Sequence, residues 1–259
     1  MTSLQAQRFI VKPVVFVAAL GPLAWLVWAG LTGHLSANPL SDLTNETGLW
    51  AIRFLCISLA VTPLRRITGW NAVIKFRRMM GLYAFFYGSL HFLVYTIADR
   101  FAGLDFPDGM VSWTTVRNLT ASVGADIYKR PFITIGFTTL MLLLPLAMTS
   151  TTGWIRRIGG KRWAALHRLA YAAGITAVVH YYWLVKADVR SPYLYAAIVA
   201  VLLGSRIYWA RMKAAAATAR VLGPLRGRRE RAGRAGGAGE AGEAGRSDSL
   251  MREIREAQV

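Results

Sequence analysis

GKRWAALHRLAYAAGITAVVHYYWLV, residues 160–185, is the stretch that decides the fold. Lys161 and Arg162 open it, and after Arg168 no charged side chain appears until Lys186. An apolar run of about 20 residues matches the hydrocarbon core of a bilayer. Cations at one end, and Tyr181, Tyr182 and Trp183 at the other, are the anchors expected where such a helix meets the two interfaces. Within this run lie His167 and His180. Ionisable rings are expensive in hydrocarbon, so each is a functional candidate.

Five more windows of the same kind lie outside it, giving spans at 14–30, 49–64, 81–98, 132–148, 164–185 and 193–209. The chain of 259 residues is 54% hydrophobic and 17% charged, and the apolar residues are clustered rather than scattered, which disfavours a large soluble helical core. These windows predict an all-α membrane protein, a bundle of six transmembrane helices over residues 1–213. The 49–64 window carries Arg53 near one end, where a long side chain can snorkel to the interface. The first window is as long as a spanning helix and no small-residue cleavage pattern follows it, so it reads as retained. Cys56, the single cysteine, has no intrachain disulfide partner and reads as a small packing residue.

The formal net charge of +18 is distributed by side. Arg65, Arg66, Lys75, Arg77 and Arg78 follow the second span, and Arg156, Arg157, Lys161 and Arg162 follow the fourth, with no acidic residue among them. The alternate connections carry Asp42 and Glu46, a mixed stretch from Asp99 to Arg130, and Lys186, Asp188 and Arg190. Positive-inside logic then puts both termini and the even-numbered connections in the cytoplasm. In the long third-to-fourth connection, residues 104–109 read as a turn and a short helix is expected around residues 111–126. Past residue 213 the chain turns to Ala, Gly and mixed charge, so 214–259 reads as a mobile cytoplasmic tail able to touch anionic lipid. It carries no recognisable nucleic-acid module.

Three of the four histidines, His91, His167 and His180, lie in apolar segments, while His34 sits in a polar loop. His91 is about 13 residues from the cytoplasmic end of its span and His180 about 18 from that of its own, roughly 20 Å or more along a helix. Both fall in the outer half, where a flat macrocycle between them would receive one imidazole on each face. Hydrogen-bonded structural histidines, or a metal or proton path, remain open on the residues alone. His167 lies 13 residues before His180, about 20 Å lower in a continuous helix, with its ring rotated away. The cytoplasmic end of the third span offers Arg77 and Arg78 rather than a second histidine, so two identically ligated haems are not supported. His167 then reads as a single ligand, a proton-transfer group at a quinone site, or an anchor for a second cofactor. Arg77, Arg78 and Arg162 suit a phosphate or a propionate, beside their plain role as interfacial anchors. No dinucleotide-binding glycine-rich turn is present.

With those residues in place, the chain resembles the YedZ/MsrQ family of the ferric-reductase-like transmembrane superfamily. The resemblance rests on Arg77-Arg78-Met79-Met80-Gly81-Leu82-Tyr83-Ala84-Phe85 leading to Leu90-His91, and on Arg130-Pro131-Phe132-Ile133-Thr134. It also rests on Ala147-Met148-Thr149-Ser150 and on residues 160–171 continuing to His180, Tyr181 and Trp183. It covers most of residues 10–213 and leaves the tail out. The resemblance implies a bacterial inner-membrane electron-transfer subunit carrying haem b and FMN. It would take electrons from the quinone pool and pass them to a periplasmic molybdenum-containing methionine sulfoxide reductase. Such a chain is the redox subunit of an oxidoreductase complex, with sulfoxide reduction left to the partner. His91, His167 and His180 match the family's three important membrane histidines; His91 and His180 are the preferred haem pair. Two rival readings are a quinol-fed reductase of ferric iron or another small molecule, and a histidine-dependent proton or metal transporter. The transporter would want carboxylates or thiolates that the spans almost lack.

Overall fold

A computed structural model describes residues 10–97, 113–185 and 188–218. The turn expected at 104–109 and the tail beyond 218 lie outside those residues. The described chain is helical, without strands. Its helices are α1 (Lys12–Leu31), α2 (Pro39–Thr68), a 3-10 turn (Asn71–Phe76), α3 (Arg77–Val94), α4 (Trp113–Lys129), α5 (Pro131–Met148), α6 (Thr152–Ile158), α7 (Gly160–Leu166), α8 (Leu169–Leu184) and α9 (Arg190–Thr218). The chain divides into a compact unit Met1–Gly204 and a second that begins at Ser205, within α9.

Local chemistry sets the helix ends. Asn38 caps α2, its side-chain oxygen accepting from the Ser41 amide at 3.1 Å, and Pro39 follows, where its missing N–H leaves no orphan. At the other end Gly69 adopts φ 70°, a left-handed stop that a Cβ would disfavour, after the basic pair Arg65 and Arg66. Thirty residues separate these signals, so α2 extends well beyond the apolar window at 49–64. Pro131 starts α5 in the same way, directly after the extended Arg130.

Among the described residues, five helices are long and apolar enough to cross a membrane: Lys12–Leu31, Pro39–Thr68, Asn71–Ile97, Pro131–Met148 and Arg190–Thr218. The window at 164–185 departs from the expectation of one continuous helix. It breaks at His167 and Arg168, leaving α8 with 16 residues. Around the break the amides of Arg168, Ala170 and Tyr171 bond three residues back rather than four. The carbonyl of Trp163 receives both the His167 amide at 3.0 Å and the His167 ring at 3.1 Å, so the side chain shares the acceptor that would continue the ladder. Projecting His167 and His180 onto one helical wheel therefore does not hold.

Packing joins α2 to α3 and α5 to α8 along their lengths, and α3–α5 and α2–α8 contacts close a four-helix core. Phe54, Leu55 and Leu59 of α2 meet Met80, Tyr83, Ala84 and Tyr87 of α3, Leu143 of α5 and Ala173 of α8. Hydroxyl bonds fix the vertical register. Ser58 donates to the Arg77 carbonyl at 3.0 Å between α2 and α3, and Thr139 donates to Thr176 at 2.8 Å between α5 and α8. The α1 helix is held by tyrosines of α3: Tyr83 donates to the Phe16 carbonyl at 2.7 Å and buried Tyr87 to the Ala19 carbonyl at 2.9 Å.

The expected short helix of the long connection is α4. Its buried Asp126 accepts from the Tyr95 hydroxyl at 2.5 Å and pairs with Arg130 at 3.3 Å, tying α4 to the end of the third span. Arg53 has partners within the bundle. It donates to the Tyr195 hydroxyl at 3.1 Å, lies 4.6 Å over the Trp50 ring and pairs loosely with Glu46 at 4.0 Å. Cys56 is buried with Ile52 and Val199, as a packing residue would be.

Candidate haem-ligand site

His91 and His180 come together. Their ring centroids are 6.1 Å apart, with planes at 76°. They do not project from adjacent helices: α3 and α8 lie diagonally across the four-helix core, with α2 and α5 between them. Both rings sit near the starts of α2 and α5. His91 Nδ1 is 2.8 Å from the Thr44 carbonyl, and His180 Nδ1 is 2.7 Å from the Phe132 carbonyl. A carbonyl can only accept, so Nδ1 carries the proton in each ring and Nε2 keeps its lone pair in the neutral form. A metal-bound histidine ordinarily donates its second ring N–H in this way, which sets tautomer and orientation.

The spacing fits one metal between two rings. Metal–imidazole bonds of about 2 Å on either side need ring centres roughly 6 Å apart. Among the described residues, no cluster of three or more His, Cys, Asp or Glu could hold a metal ion. The donor set is therefore a pair of neutral imidazoles, which suits the axial positions of haem iron, whose remaining ligands come from the macrocycle.

Two glycines missed by the sequence reading complete the site. A Cβ built on Gly136 would lie 2.6 Å from His180 Cε1 and 2.8 Å from Nδ1, and one on Gly48 would lie 3.0 Å from His91 Nδ1. Each imidazole is thus laid against helix backbone, where a side chain at Gly136 would displace the ring and one at Gly48 would make it give slightly. An isolated glycine within an apolar helix was the available signal.

His167 occupies a separate place at the opposite end of these helices. It sits in the turn before α8, stacks on Trp163 at 3.9 Å and has Arg77 and Arg78 within electrostatic reach. Trp163 is itself fixed by donating to the Thr149 carbonyl at 2.9 Å. Arg162 lies exposed on α7. His34 is an exposed loop residue, stacked on Trp28 at 4.9 Å and 2.7 Å from the Thr32 hydroxyl.

Comparison with known proteins bears on the family of the chain. The family described as "Ferric reductase like transmembrane component" matches residues 47–178. That stretch holds Gly48, His91, Gly136 and His167 and stops just short of His180. A "Protein-methionine-sulfoxide reductase heme-binding subunit MsrQ" of Xanthomonas euvesicatoria pv. vesicatoria is 46% identical over 215 residues, covering 81% of this chain and 90% of the relative. The chain belongs to the MsrQ family. A protein of the same name from Ralstonia nicotianae is 48% identical over 201 residues, covering 77% of this chain and 85% of its own. One from Xanthomonas oryzae pv. oryzae is 42% identical over 230 residues, covering 86% of this chain and 97% of the relative. No solved structure matches. Membership in the MsrQ family makes this chain a ferric-reductase-like, multi-pass membrane component.

Proposed function

We propose that this chain is the haem b- and FMN-carrying electron-transfer subunit that feeds a periplasmic, molybdenum-containing methionine sulfoxide reductase from the quinone pool. The observation that carries the reading is the pair His91 and His180, 6.1 Å apart with each Nδ1 committed to a backbone carbonyl. When bound, haem b supplies a one-electron carrier and FMN a station that receives electrons in pairs and releases them singly. The chain's own work is positional. His91 and His180 would hold the haem iron through Nε2, while the Thr44 and Phe132 carbonyls hold the ring N–H groups. Arg77, Arg78 and Arg162 are the candidates to meet an FMN phosphate or a haem propionate, with His167 beside a second cofactor or quinol. A quinol gives up two electrons and two protons; methionine sulfoxide takes up two of each at the partner and yields methionine and water.

In this reading α7, the turn at His167 and α8 complete a sixth crossing, and both termini face the cytoplasm of a bacterial inner membrane. The His91–His180 pair then lies in the periplasmic half and His167 at the cytoplasmic side. The test uses purified full-length protein in lipid vesicles, reduced by a quinol. Reoxidation of the haem by a periplasmic methionine sulfoxide reductase with methionine sulfoxide present is the expected result. Reoxidation by a ferric chelate but not by that enzyme would favour the ferric-reductase reading and overturn this one.

A further inference from the structure

The two histidine seats are copies of one device. In each, a histidine of a later helix, α3 or α8, rests on the earlier helix packed along it, α2 or α5. It bonds the carbonyl of one residue and lies against the glycine four residues on: Thr44 and Gly48 under His91, Phe132 and Gly136 under His180. The sequence offsets nearly coincide, 47 residues from Thr44 to His91 and 48 from Phe132 to His180. In a helix, residues four apart are stacked on one face, so carbonyl and glycine form a single platform. The carbonyl fixes the ring's edge and the bare Cα fixes its face. Together they leave the imidazole one plane, and the two planes differ by 76°.

We propose that Gly48 and Gly136 are positioning residues that hold His91 and His180 with nearly perpendicular ring planes, and so set the electronic character of the haem between them. This inference rests on the haem reading above. Near-perpendicular axial imidazoles leave two iron d orbitals almost equal in energy. Ferric low-spin haem of that kind gives a strongly anisotropic paramagnetic resonance signal, whereas parallel rings give a rhombic one. Orientation of the axial ligands is one of the protein's means of tuning the iron. An added Cβ at Gly136 cannot coexist with the present ring position, and one at Gly48 requires the ring to give by a few tenths of an ångström.

The experiment compares purified full-length wild type with Gly48→Ala, Gly136→Ala and Gly21→Ala. The last is a helical control, where an added Cβ meets nothing within 4 Å. Haem content is read by reduced-minus-oxidised spectra, ligand geometry by electron paramagnetic resonance of the ferric protein, and fold by monodispersity in detergent. Wild type and Gly21→Ala are expected to share one strongly anisotropic low-spin signal. Gly48→Ala should keep its haem with the signal shifted, and Gly136→Ala should shift it further or lose haem while staying monodisperse. An unchanged signal in both seat variants overturns the proposal, as does a rhombic signal in wild type. Aggregation of both seat variants beside a monodisperse Gly21→Ala also overturns it, because the glycines would then be supporting the bundle. Wild type without b-type haem would instead sink the haem reading itself.

Discussion

At the scale of single residues, the site depends on which atom of each histidine is already committed. His91 and His180 both spend Nδ1 on a carbonyl, and that leaves the Nε2 lone pair of each available. His167 spends its Nδ1 on Trp163 of its own turn and has cations rather than a second imidazole for neighbours. The pair and His167 therefore sit in different surroundings. Replacing Arg77 and Arg78 together by Gln is expected to lower the flavin content of purified protein several-fold while the haem absorbance stays at wild-type level. Flavin retained in full would remove these two arginines from any phosphate contact. The separation was legible in the sequence, because the depths of His91 and His180 follow from counting residues along helices. The seats were not, because nothing in a chain shows which backbone a ring will press against.

At the scale of elements, α1 illustrates how a helix is fastened through its own defect. Pro22 has no N–H to give, so the ladder of α1 is interrupted there. Tyr87 enters beside the gap, donating to the Ala19 carbonyl and accepting from the Leu23 amide at 3.2 Å. Tyr87→Phe leaves both groups without that hydroxyl, at a cost of about 1–2 kcal/mol for a hydrogen bond within a membrane bundle. A lowered thermal unfolding midpoint in detergent is the expected outcome, with exposed Tyr208→Phe unchanged. Equal midpoints would mean the hydroxyl does not hold α1. Hydropathy located the helices because apolar length is a property of consecutive residues. It missed the break at His167, since a side chain competing for its own helix's carbonyl leaves no mark on average polarity. It also fell short on α2, whose ends are set by Asn38 and Gly69 beyond the apolar window.

At the scale of the whole molecule, the proposed function gives electrons a direction, from the cation-rich side toward the side holding His91 and His180. That direction requires the loop before α2 to face the periplasm and the loop after α5 to face the cytoplasm. In a Cys56→Ala background, a membrane-impermeant maleimide applied to intact cells should label Ala37→Cys and leave Thr151→Cys untouched; the reverse pattern would invert the topology. An all-helical membrane protein was legible from the apolar windows, but the diagonal placement of α3 and α8 was not, because hydropathy says where helices are and not which ones touch. The central claim is that His91 and His180 are the two axial ligands of one haem. Its most direct test is the reduced-minus-oxidised visible spectrum of purified wild type, His91→Ala, His180→Ala and His34→Ala. A b-type spectrum in wild type and His34→Ala, disrupted in both of the others, is the predicted result; intact bis-histidine haem in either His91→Ala or His180→Ala would contradict it.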